Sequence, residues 1–314
     1  MSIISAQGYI GDTFYQLGAF SVPNIKYQGD APFTLTPPTS NSPGGWTFTS
    51  SDPNLISISG TTATVSTTNN GTCTITATQD WAPYQGANVA TAQCMVLLPA
   101  ADPYFANVSL LINGDSSPVV DVKGNPLTTT VGTVAPVRST TTKLFGSGSV
   151  FCNGGGYKIP YTTAFNLTSI DWTMECWFNP SQIAANACIL SKDTYGSNFD
   201  WCMLLLAGGK TFEVATSGTT VTFIPTIGQL VIGTWYHLAM VRSGTTITVY
   251  LNGVSCGSKV MNLSNSSVSF FTVGCESWNN ANTPFKGYLD DIRITKGVAR
   301  YTANFTPPAA CPVY

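Results

Sequence analysis

Thr234-Trp235-Tyr236-His237-Leu238-Ala239-Met240-Val241-Arg242, then Ser243-Gly244, then Thr246-Ile247-Thr248-Val249-Tyr250-Leu251-Asn252-Gly253, is the stretch that decides the fold. Both runs are rich in β-branched and aromatic residues and are flanked by turn residues. Ser243-Gly244 admits the positive φ of a tight turn, so the stretch reads as a β-hairpin. On either side, Asp171-Trp172-Thr173-Met174-Glu175-Cys176-Trp177-Phe178 and Phe285-Lys286-Gly287-Tyr288-Leu289-Asp290-Asp291-Ile292-Arg293-Ile294 read as further strands. Short alternating runs bounded by Gly, Pro, Asn and Asp recur along the chain, and helical periodicity is scarce, which predicts an all-β protein.

Composition narrows the function classes. The chain has 314 residues, 43% of them hydrophobic, enough for two cores. Only 9% are charged, against about 25% in ordinary domains. The net charge is −2 and Lys and Arg do not cluster, so nucleic acid is not an expected partner. Met1 to Gly11 lacks the basic and apolar regions of a secretory signal, and Met203 to Ala207 is too short to span a bilayer, so neither secretion nor membrane insertion is expected. Nine cysteines without a CxxC pair, beside one histidine, argue against zinc and predict reduced, packed thiols.

The N-terminal region carries its own sandwich pattern. Ala63 and Val65 alternate with Thr62, Thr64 and Ser66; Cys73, Ile75 and Ala77 alternate with threonines; Ala90, Ala92, Cys94 and Val96 repeat the pattern. Asn69-Asn70-Gly71 predicts a tight hairpin between the first two runs. Leu98-Pro99-Ala100-Ala101-Asp102-Pro103 reads as a connection stiffened by two prolines. The expected division is 1–29 as an attachment segment or first strands, 30–98 as a β-sandwich, 99–103 as linker, and 104–314 as a second domain.

Two resemblances follow from these residues. Ser51-Asp52-Pro53-Asn54-Leu55-Ile56-Ser57-Ile58, with Gly60 to Val65 and Gly71 to Ala77, resembles the bacterial immunoglobulin-like repeat, which implies an immunoglobulin-like β-sandwich over 30–98. The Trp-Tyr-His-Leu-Ala strand with its Tyr-Leu-Asn-Gly partner, and Gly287-Tyr288-Leu289-Asp290-Asp291-Ile292-Arg293-Ile294, resemble the laminin-G-like, concanavalin-A-like jelly roll. The tail from Lys296 to Pro308 is similar to phage versions of that fold. The resemblance implies two antiparallel sheets, one concave, with ligands on the concave face or rim loops.

Catalytic constellations are hard to assemble. The one imidazole, His237, shares a strand face with Ala239 and Val241 and reads as a hydrogen-bonded sheet histidine. Glu175, Glu213 and Glu276 each lack a carboxylate two residues away, so the paired acids of a glucanase motif are missing. Asp290 and Asp291 are expected on opposite faces of one strand, Asp290 with Tyr288, Ile292 and Ile294, bonded to a neighbouring loop or to an arginine such as Arg242. Asp193 and Asp200 flank Asn198 in a segment read as a loop from Lys192 to Asp200, making these three the calcium candidates, with no other cofactor expected. Glycan recognition needs aromatic platforms and neutral amides; Trp278, Asn279, Asn280 and Asn282 form one candidate and Tyr195 with Asn198 the other.

The leading expectation is a non-enzymatic bacteriophage virion surface protein: a tail, baseplate or capsid-decoration component. It would be assembled in the host cytoplasm, homo-oligomeric, and in contact with other virion proteins. A lectin-like module for host cell-surface glycans is the second reading, and a glycoside hydrolase the third. Tyr9, Ile10, Phe14 and Tyr15 are the attachment candidates, because an apolar set with few charges is costly to leave in water.

Overall fold

The computed structural model describes residues 16–80, 88–98, 101–129, 134–183, 186–194, 198–206, 209–216, 219–226, 228–261, 263, 269–275 and 284–308. The chain forms two compact units, Met1–Pro99 and Ala100–Tyr314. Strands dominate both, and the described helices are two single 3-10 turns, Phe105–Asn107 and Thr163–Phe165.

In the first unit a four-stranded sheet runs Ile25–Tyr27, Val89–Leu97, Gly71–Gln79, Trp46–Ser50, and a three-stranded sheet runs Phe33–Thr34, Thr62–Val65, Ile56–Ser59. The alternation seen in the sequence sets the core: Phe48, Ile56, Ala63, Val65, Cys73, Ile75, Ala77, Cys94 and Val96 are buried together. Phe20 joins them and Ile25–Tyr27 pairs in parallel with Met95–Leu97, so this part of the first 29 residues belongs to the sandwich. Tyr9, Ile10, Phe14 and Tyr15 lie outside the described residues.

The expected hairpin at Asn69-Asn70-Gly71 is corrected. Thr62–Val65 and Gly71–Gln79 lie in different sheets, so the turn carries the chain across the core. Either arrangement buries every second residue, and alternation alone does not say which sheet a strand joins.

In the second unit an eight-stranded sheet runs Val137–Ser139, Ser149–Asn153, Lys286–Lys296, Trp172–Pro180, Tyr236–Ser243, Thr246–Leu251, Val254–Val260, with Val108–Ile112 also beside Lys286–Lys296. A seven-stranded sheet runs Thr219–Phe223, Thr211–Thr216, Asn198–Leu206, Asn186–Thr194, Ser269–Val273, Tyr157–Pro160, Thr128–Thr129. The inner faces enclose one core holding Trp172, Met174, Cys176, Phe178, Phe212, Leu238, Met240, Val249, Phe271, Ile292 and Ile294. The hairpin read from the sequence is present: Ser243 faces Thr246, leaving a two-residue turn in which Gly244 has φ +61°.

Two further expectations change. A β-bulge falls in Lys286–Lys296, where Glu175 faces Arg293 but Trp177 faces Asp290. Asp291 takes φ +45° there. One inserted residue resets the alternation. Leu289, Ile292 and Ile294 point into the core, and Asp290 no longer shares a face with the two isoleucines. The linker is also shorter than expected. Asp102 is buried and ion-paired to Arg293 and Arg300, so it is part of the second unit.

Candidate functional site

The outer faces of the two sheets differ chemically. On the eight-stranded sheet, the tail after Lys296 folds back over the strands. Tyr301 and Phe305 stack with ring centres 3.5 Å apart and pack against Ala239, Val241 and Tyr250. The Asn252-Gly253 turn seats the tail: the Phe305 N–H donates to the Gly253 carbonyl at 3.0 Å. Gly253 has φ +77°, and a Cβ there would fall 1.8 Å from the Phe305 carbonyl oxygen.

Beneath the tail lies a sealed ionic cluster. The Arg300 guanidinium donates two bonds to Asp102, at 2.9 and 2.7 Å. Arg293 donates to Asp102 at 3.1 Å and to both Asp291 oxygens at 2.7 and 2.6 Å. Glu175 Oε2 accepts the Tyr301 hydroxyl at 2.7 Å and stands 3.3 Å from His237 Nε2. Burial works against the charge on Glu175, but His237, Arg293 and Arg300 outweigh it and hold the carboxyl down to about 2. Burial likewise opposes ionised Asp102, and Arg300 and Arg293 keep it below the usual carboxylate range. Asp291 goes the other way: burial exceeds the help from Arg293 and raises it. Asp290 accepts the backbone N–H groups of Leu144 and Phe145 at 3.0 and 3.1 Å, the neighbouring-loop arrangement and not the Arg242 one. Burial still pushes it well above its ordinary value. Arg242 instead donates to the carbonyls of Gly244 and Thr168.

His237 keeps its expected face with Ala239 and Val241, and is 1% exposed. It contacts Trp177 and Phe305 edge-on. What this arrangement does chemically is fasten the tail.

The outer face of the seven-stranded sheet carries Lys158 and Glu213 among uncharged residues, and its described part is partly open. Strand register puts Phe270 opposite both Pro160 and Asp193, Thr272 opposite both Lys158 and Ser191, and Thr128 opposite Lys158. Lys158 Nζ lies 3.5 Å from the centre of the Phe270 ring, and Thr128 donates to the Lys158 carbonyl at 2.9 Å. Phe270, Lys158 and Pro160 are half-buried and Thr128 is exposed; Ser191 and Thr272, hydroxyl to hydroxyl, are buried. Glu213 is raised by burial. An aromatic ring beside an ammonium and the exposed Thr128 hydroxyl suits the apolar face and the hydroxyls of a sugar.

The sequence candidates fall as follows. Trp278, Asn279, Asn280, Asn282 and Tyr195 lie outside the described residues. The expected calcium loop from Lys192 to Asp200 is corrected to a hairpin. Asp193 is the last residue but one of its strand, facing Phe199, and Asn198 opens the next, facing Thr194. Asp200 is passed over in the register as a bulge residue. Lys192 is buried, its Nζ 4.7 Å from the Tyr161 ring centre. The segment is therefore strand on both sides of residues 195–197, which lie outside the described residues. Among the described residues no group of three or more His, Cys, Asp or Glu is placed to hold a metal ion.

The model of the concanavalin A-like lectin/glucanase superfamily, laminin-G type, matches residues 153–300. The C-terminal unit is a concanavalin A-like jelly roll. Among solved structures, this jelly-roll chain is similar to domain 4 of an extracellular arabinanase from Geobacillus stearothermophilus in complex with arabinotriose. That match has 21% identity and a TM-score of 0.49, covering 61% of this chain and 93% of the other. It is also similar to a heptameric pentraxin from Limulus polyphemus, at 18% identity, a TM-score of 0.31, and 41% and 67% coverage. A third is the binding domain of botulinum neurotoxin serotype G, at 15% identity, a TM-score of 0.44, and 62% and 49% coverage. No curated relative matches the chain.

The Phe270–Lys158 pair was missed by sequence reasoning. Each residue sits in a short, unremarkable strand, and their meeting depends on the pairing of Tyr157–Pro160 with Ser269–Val273, more than a hundred residues apart. The ionic cluster was missed for the same reason, since Asp102 and Arg300 approach only when the jelly roll closes.

Proposed function

We propose that this chain is a non-enzymatic surface component of a bacteriophage particle, a tail, baseplate or capsid decoration, whose jelly roll binds glycans through the outer face of the seven-stranded sheet. The observation that carries the binding reading is the half-buried Phe270 ring with Lys158 Nζ 3.5 Å from its centre, and the exposed Thr128 opposite Lys158. The lectin name of the matching superfamily agrees with it. Phe270 would stack on the apolar face of a sugar ring, and Lys158 and Thr128 would take its hydroxyl or carboxylate oxygens. The non-enzymatic reading rests on the sealing of the one imidazole beneath the tail. The virion reading rests on the low charge of both units and on the phage-like tail sequence from Lys296 to Pro308. The N-terminal sandwich fits an immunoglobulin-like spacer, and self-association through symmetric contacts suits a particle component.

A glycan array probed with the full chain tests the binding half. Signal lost in Phe270→Ala and kept in Val260→Ala, an exposed residue of another strand, is the expected result. A signal unchanged in Phe270→Ala but lost in Trp278→Ala would move the site to the Trp278 segment. Mass spectrometry of purified particles tests the other half, with a fixed copy number per particle expected.

A further inference from the structure

Eight described cysteines carry thiols, and most are packed as small apolar side chains. Cys73 and Cys94 are packed in this way too, but as a pair. They face each other directly across the antiparallel strands Gly71–Gln79 and Val89–Leu97, in a register without shifts. Both point into the same core, at 1% and 0% exposure. The Gln79 N–H donates to the Asn88 carbonyl at 2.9 Å. That makes every second pair down this ladder, including Cys73 with Cys94, the hydrogen-bonded kind, with Cα atoms about 5.5 Å apart. Disulfides span Cα separations of about 4.4–6.8 Å, but their Cβ atoms lie about 3.5–4.5 Å apart, closer than the roughly 4.5–5.5 Å of a cross-strand pair, so closing the bond draws the two strands together locally.

We infer that Cys73 and Cys94 are a latent cross-strand disulfide, closed by exchange with a small-molecule disulfide once the protein leaves reducing surroundings. One thiolate attacks the small disulfide, forming a mixed disulfide and releasing one small thiol. The second cysteine thiolate then attacks the protein sulfur of that mixed disulfide and releases the second small thiol. The two cysteines are oxidised, the small disulfide is reduced to two thiols, and the two thiol protons pass to solvent and leaving groups.

Burial sets the pace. It pushes the Cys94 thiol up to about 11, with the neighbouring Cys73 adding to the effect, and it raises Cys73 as well. Neither sulfur is reachable in the closed sandwich, so exchange waits for the strand pair to open and accelerates with pH. Once formed, the bond ties together the two central strands of the four-stranded sheet, which hold Ile25–Tyr27 on one side and Trp46–Ser50 on the other.

The sequence provides a clean readout. Asp52, Asp80 and Asp102 are the successive aspartates of this region, so cleavage before aspartate puts Cys73 in fragment 52–79 and Cys94 in fragment 80–101. The full chain is equilibrated with oxidised glutathione at pH 8, with and without sub-denaturing urea. It is then acid-quenched, alkylated and cleaved. The expected result is that fragments 52–79 and 80–101 run joined and separate on reduction, faster in urea. Hydrogen exchange across residues 71–97 should slow by at least about tenfold in the oxidised chain. Cys73→Ser should abolish the joined species, and Cys152→Ser should leave it intact. Recovery of both fragments alkylated in both conditions, or of Cys94 joined to another cysteine, would overturn the inference; the wild-type map decides even if Cys73→Ser fails to fold.

Discussion

Glu175→Gln is the sharpest probe of the sealed cluster, because it removes one charge and preserves shape. Each pKa unit corresponds to about 1.4 kcal/mol. A carboxyl moved from 4.5 to about 2 on folding therefore contributes about 3 kcal/mol at neutral pH. The side chain is 3% exposed, so solvent screening does not reduce this much. The sign is that of a depressed acid. The contribution is complete above pH 4.5, the unfolded value, and is lost as pH falls toward 2. Asp290 and Asp291 act oppositely, since burial raises both. Protonating them in the folded state adds stability as pH falls through their raised values. Wild-type stability should therefore rise from neutral pH into the mildly acidic range, then fall steeply below about pH 4.5. Urea denaturation at half-unit steps from pH 7 to pH 3 measures this. In Glu175→Gln the mildly acidic rise should remain, stability at pH 7 should drop by about 3 kcal/mol, and the steep acid limb should flatten. An acid limb identical in slope and midpoint in both proteins would refute the assignment of that limb to Glu175.

Gly253→Ala should cost about 1–3 kcal/mol or more by melting temperature or urea midpoint, because the new Cβ meets the Phe305 carbonyl and displaces the tail. Gly60→Ala, with φ +59° and open space around it, should cost only about 1 kcal/mol and serves as the comparison. Asp102→Ala leaves Arg300 without its bidentate partner and should destabilise by about 3–5 kcal/mol in the same assay. Limited proteolysis should cut at Pro99–Ala100 before it cuts at the buried Asp102, leaving a soluble C-terminal fragment with a β-type circular dichroism spectrum.

The parts legible in the sequence were those set by local pattern. The Tyr236–Leu251 hairpin declares itself by two strand runs around Ser243-Gly244, and the alternation from Cys73 to Ala77 gives its buried face directly. What alternation leaves open is the partner of each strand. Gly71 could turn the chain back within a sheet or across to the other one, and both options bury the same residues. The bulge at Asp291 is hidden for a related reason. Asp-Asp-Ile-Arg reads as regular strand until the pairing with Glu175 and Trp177 shows an inserted residue. Asp193 and Asp200 were read as loop because a polar, Gly- and Asn-containing stretch resembles a loop in composition, although strands Asn186–Thr194 and Asn198–Leu206 reach into it from both sides. The site residues Lys158 and Phe270 leave no local trace, since short polar-flanked strands look alike wherever they lie in the sheet.

Asp102 and Arg300 join the beginning of the jelly roll to its end. The first strand of that unit, Val108–Ile112, lies antiparallel beside the last, Lys286–Lys296, with Val108 opposite Thr295. Tension applied through the two ends of the unit first peels the tail from Gly253 and Tyr250; it then arrives at one spot and pulls neighbouring strands apart in the unzipping direction, where ladder bonds break one after another instead of sharing the load. Sheets loaded this way resist little by themselves. The Asp102–Arg300–Arg293 cluster stands ahead of the first ladder bond, so it acts as the catch on the zipper once the tail has been lifted.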